Sequence, residues 1–66
     1  MMHKGYDGSV EYSVADDVLH GRVLGIQSLV TYEGRTVEEI KAAFAEAVDD
    51  YLELCAQEGI KPEGRG

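Results

Sequence analysis

The stretch Thr36–Cys55, TVEEIKAAFAEAVDDYLELC, decides the architecture. Val37, Ile40, Phe44, Val48, Tyr51 and Cys55 recur at steps of three and four residues. At about 100° per residue they fall within a stripe of about 80°, which is the buried face of an amphipathic helix. Ala47 widens the stripe, and Leu52 and Leu54 flank it on opposite sides. Thr36 and Glu39 form a T-x-x-E capping box, in which the hydroxyl and the carboxylate each take a backbone N–H that the first turn leaves free. Gly59 and then Pro62 supply the stop. The pattern predicts a helix over 37–58, about 33 Å long at about 1.5 Å per residue.

Upstream the period changes. Val10, Tyr12 and Val14 alternate with Ser9, Glu11 and Ser13, the two-residue period of a half-buried strand over 9–14. The triplet Ala15–Asp17 (ADD) is turn chemistry, because short Asp side chains satisfy backbone groups locally. Apolar and β-branched residues resume over 18–24, and a third short strand is expected over 29–32. Gly21 interrupts the second strand and marks a bulge or a close backbone approach. Strand, strand, strand, helix packs as an α+β domain: a three-stranded antiparallel meander with one long C-terminal helix on one face. The other face, carrying Ser9, Glu11 and Ser13, stays open to a partner, as does an edge. Residues 1–66 form a single domain, ending in a loose tail over 60–66.

The chain has 66 residues with thirteen acids against six bases, a net charge of −7. Phosphates repel such a chain, and its bases are scattered, so direct binding to nucleic acid is not expected. A basic partner is favoured instead. A chain of this length builds a marginal core, so a homo-oligomer, dimer or higher, is expected. One cysteine forms no internal disulfide, and no signal-peptide stretch is visible, which points to the cytoplasm. No window is apolar enough to span a membrane.

The pair Asp49–Asp50 raises the question of catalysis. Neighbours on a helix diverge by about 100°, and neither lies on the apolar stripe. Catalytic carboxylates converge in a cleft, so this pair reads as a solvated face and the chain as a non-enzyme with no cofactor and no metal. Cys55 lies on the stripe near the helix C-terminus, away from the cations that make thiolates. His3 falls in an N-terminus expected to be mobile, and His20 on a strand surface; the two with Cys55 make no zinc spacing. Glu38, Glu39, Glu46, Asp49, Asp50, Glu53 and Glu58 face only Lys41 on the helix. Glu46, Asp49, Asp50 and Glu53 are therefore the candidate partner-binding face, with Thr36, Glu39, Phe44, Tyr51 and Cys55 structural.

The ordered set GSVEYS (8–13), HG (20–21), VTYEG (30–34) and AVDDYLE-C (47–55), followed by Gly59 and Pro62, resembles the HicB antitoxin family over Tyr6–Pro62. The resemblance implies a partial ribonuclease-H-like domain of about three strands and a long helix, without nuclease activity. It implies a protein that masks a small basic HicA-like toxin, a ribonuclease that cleaves messenger RNA. Similar proteins continue into a C-terminal DNA-binding segment, whereas this chain stops at Gly66, so an orphan, self-associating regulatory or structural protein without a toxin partner is the alternative expectation.

Overall fold

A computed structural model describes residues 1–62. The elements run β1 (Met2–His3), β2 (Tyr6–Asp7), β3 (Glu11–Ser13), β4 (Val18–Arg22), β5 (Thr31–Gly34) and α1 (Val37–Glu58). The class is α+β, with the long helix packed on a meander of β3, β4 and β5. Among the described residues there are five strands where three were expected. The two additional ones, β1 and β2, form a hairpin closed by Lys4 and Gly5 at φ 53° and 84°. Two consecutive positive φ values give the turn whose twist matches paired strands.

That hairpin is continuous with the meander. Glu11 pairs with His20, and three residues away along both strands Gly8 bridges Val23, so the register is unbroken. Ser9 N–H donates to Arg22 O at 3.0 Å, and Leu24 N–H to Asp7 O at 2.8 Å. The regular ladder is nevertheless interrupted at Ser9–Val10, which is why β3 begins at Glu11 and β4 ends at Arg22. Arg22 N–H donates to Ser9 Oγ at 3.0 Å instead of to the Ser9 carbonyl. The freed carbonyl takes the Tyr32 hydroxyl at 2.8 Å, and the same hydroxyl lies 3.1 Å from Arg22 O. Tyr32 reaches this gap because the residues beneath it, Gly8 and Gly21, have no side chains. A methyl at Gly21 would overlap the Ser9 carbonyl oxygen, and one at Gly8 would overlap the Tyr32 hydroxyl. The glycine in the second strand thus marks a close backbone approach.

The third meander strand sits two residues later than expected. Pairing with β4 carries it through Glu33 and Gly34, opposite His20 and Leu19, until the helix begins. Ladder pairing overrides the turn tendency of EGR. Leu29, placed in that strand by the pattern, is 80% exposed.

The helix spans the expected residues. Thr36 Oγ1 accepts from Glu39 N–H at 3.0 Å, and Glu39 Oε1 accepts from Arg35 N–H at 2.9 Å. At the other end Gly59 is left-handed, and Ile60 N–H donates to Cys55 O at 2.8 Å, closing a Schellman motif. Ile40, Phe44, Val48, Tyr51 and Cys55 are buried with Tyr6, Val23 and Tyr32. Val37, counted in the stripe from its spacing, is 60% exposed. Aromatic edges lock the layers: Tyr32 on Phe44 at 5.2 Å and Tyr6 on Tyr51 at 6.1 Å between ring centroids. The tail expected over 60–66 lies partly outside the described residues, at positions 63–66.

Candidate functional site

The helix runs between two structures that treat its adjacent aspartates differently. On one flank stands the β1–β2 hairpin. His3 Nε2 lies 3.0 Å from Asp49 Oδ1, and Lys4 Nζ lies 2.9 Å from the same oxygen. The Lys4 ammonium, then the His3 ring, holds the Asp49 carboxyl below its ordinary range. His3 sits in β1, half-buried, with its ring edge on Phe44 at 6.4 Å. No local pattern signals this, since His3 and Asp49 lie far apart in the chain.

On the other flank Asp50 lines a groove of about 540 Å³. Its walls are the segment from Ser28 to Thr31 and the helix residues Ala47, Tyr51, Leu54 and Cys55, with Ile60 at the end. Among the described residues Asp50 is the one charged side chain in that lining. Most of the lining is apolar, with Asp50 contributing an acid. Leu29, Leu54 and Ile60 were not singled out as functional in the sequence. The available signal was three large apolar side chains lying off the helix stripe.

The structure places Glu46, Asp49, Asp50 and Glu53 together on the exposed side of the helix. Asp49 is taken by Lys4 and His3 of the hairpin, and Glu53 accepts from Gln57 Nε2 at 3.3 Å. The two aspartates diverge and share no ion-binding geometry. Thr36 and Glu39 cap the helix, and Phe44, Tyr51 and Cys55 are core. His20 is exposed on the open sheet face, between Glu11 and Glu33 in the register. Asp16 and Asp17 shape the β3–β4 turn: Asp17 N–H donates to Ser13 O at 2.8 Å, and Tyr12 donates its hydroxyl to Asp17 Oδ1 at 2.6 Å. That hydrogen bond raises the Tyr12 pKa.

Among the described residues, no group of three or more His, Cys, Asp and Glu side chains is placed to hold a metal ion. No helix among them is long and apolar enough to cross a membrane. The arrangement offers surfaces for binding: an acidic helix face, an apolar groove beside it and two strand edges. Comparison with protein-family models, with curated proteins and with solved structures finds no match to this chain.

Proposed function

We propose that this chain is a non-enzymatic antitoxin-type protein that binds and masks a small basic HicA-like toxin cleaving messenger RNA in the cytoplasm. The observation that carries this reading is the pairing of an acidic helix face with an adjacent apolar groove. Glu46, Asp50 and Glu53 meet no base on the helix other than Lys41, and the groove beside Asp50 is lined by Leu29, Leu54 and Ile60. A basic ribonuclease presents cations where it would hold phosphates. Acids complement that surface and speed encounter, while an apolar pocket supplies the desolvated anchor that holds the complex.

Co-expression with a small basic protein encoded beside this chain tests the reading. Co-purification and rescue of growth are expected. The triple variant E46K/D50K/E53K should slow association and weaken binding by at least about tenfold, most strongly at low salt. Leu54→Ala should raise the dissociation rate instead. A basic neighbour that neither co-purifies nor is neutralised sinks the proposal. The second reading, a self-associating chain without a toxin, draws on a different feature: the exposed apolar side chains of Val10, Tyr12 and Val14, in and beside β3.

A further inference from the structure

The groove beside Asp50 opens at a sheet edge. Among the described residues the meander runs β3–β4–β5, so β5 has a strand on one side only. Val23 N–H donates to Val30 O at 2.9 Å, and the register continues through Gly21–Tyr32 and Leu19–Gly34. Val30, Tyr32 and Gly34 therefore turn their backbone groups inward to β4. By the antiparallel alternation, the N–H and C=O of Thr31 and Glu33 point outward. Tyr32 faces the helix and is buried, so the exposed side chains of Thr31 and Glu33 lie on the opposite, open face. On the helix side the same edge adjoins the groove, with the segment from Ser28 to Thr31 as one wall and the helix as the other.

We infer that edge and groove together take one extended segment of the basic partner, added antiparallel to β5 as a fourth strand of the meander. The inference rests on the proposed capture of a basic protein and states how the capture is made. The segment's backbone pairs with the outward groups of Thr31 and Glu33, and its side chains alternate between two environments. Those on the helix side enter the groove, beside Leu29, Leu54 and Ile60, which are 80%, 52% and 55% exposed in the free chain. Those on the open face stand opposite Thr31 and Glu33. The segment that fits has apolar residues at every second position and Lys or Arg between them.

Charge commits the occupant. At about 100° per residue, Asp50, Glu46 and Glu53 all fall on the helix flank that overlooks the groove. Glu33 adds a carboxylate on the strand itself. A second copy of the chain would bring a further −7 to this lane, whereas a cationic strand is drawn into it. The far edge of the sheet offers no such lane. There β3 ends at Ser13, and the chain turns over 14–17. Val10, Tyr12 and Val14, expected on the half-buried side of a strand, are 46%, 56% and 82% exposed, and none of them lines the groove.

The probe is a capped synthetic peptide of alternating Lys and Val, and its control has the same composition with Lys and Val in two blocks. Amide hydrogen exchange of the full chain, followed by NMR, reads the result. The alternating peptide should slow exchange at Thr31 and Glu33 by about tenfold or more at saturation, and the block peptide should not. N-methylation of the peptide at its Lys residues removes the donors aimed at β5 and should abolish the protection; N-methylation at its Val residues should leave it. Thr31→Pro deletes one outward N–H at the first residue of an edge strand, a place where proline is tolerated. It should weaken the peptide by about fivefold with an unchanged helical circular dichroism spectrum. A peptide that does not bind at millimolar concentration overturns the inference, as does one that binds while both amides exchange freely. Equal protection by the block peptide also overturns it. So does protection in the chain alone that grows with its own concentration, which assigns the edge to a second copy. The wider reading fails separately. A basic neighbour neutralised by Thr31→Pro as fully as by the wild type keeps the antitoxin reading and overturns the added strand. Protection by the peptide beside a neighbour that is never neutralised keeps the strand site and overturns the antitoxin reading.

Discussion

At the scale of single residues, Tyr32 and Asp49 each join segments distant in sequence. Tyr32 belongs to β5, but its hydroxyl completes the hydrogen bonding between Ser9 and Arg22 on two other strands. Tyr32→Phe keeps the ring on Phe44 and leaves the Ser9 carbonyl without its donor, which should cost about 1–3 kcal/mol in urea denaturation. Gly21→Ala should cost more than Tyr32→Phe in the same assay, because its methyl meets backbone that must move. Asp49 holds the hairpin to the helix through Lys4 and His3. Its carboxyl is held lower in the folded chain than in the unfolded one. The contribution is therefore present above the unfolded carboxyl range, about pH 4, and fades as pH falls through the lower folded value. An NMR contact between the His3 and Phe44 rings should weaken below about pH 4, and Asp49→Asn should weaken it at neutral pH. A contact that persists unchanged in strong acid would mean that apolar packing alone holds the hairpin.

At the scale of elements, the helix was legible because its signals are local and agree. Stripe, cap and stop lie within a few residues of what they specify, and Val37–Glu58 follows from them. Thr36→Ala should lower stability by about 1 kcal/mol in chemical denaturation. Phe44→Ala should cost about 3–5 kcal/mol, comparable with what one small core supplies, and should abolish the cooperative thermal transition seen by circular dichroism. The strands were less legible. Alternation located β3 and showed which of its residues share a face, but not whether the helix covers that face, since coverage depends on where the helix crosses the sheet. The β1–β2 hairpin was missed because Lys4 takes the left-handed conformation without an Asn-Gly or Asp-Gly signal. For the candidate site, the acids were readable from composition and helical spacing. The groove arises where the Ser28–Thr31 segment meets the helix, and no single segment encodes it.

At the scale of the whole molecule, 38 × 18 × 17 Å, the helix ties the β1–β2 hairpin on one flank to the loop before β5 on the other. Charge reversal at Glu46 and Asp50 should leave the melting transition nearly in place, since exposed substitutions usually change stability by less than about 0.5 kcal/mol. Differential scanning calorimetry would register that separation of binding from stability. The hydroxyl wedged between β3 and β4 also constrains the order of assembly. A chain emerging from the ribosome exposes its first twenty-two residues before the tyrosine that seals their pairing has been added. The donor that completes the Ser9–Arg22 pairing thus comes from a segment later in the chain than either strand it joins, so that pairing is finished only once β5 has docked.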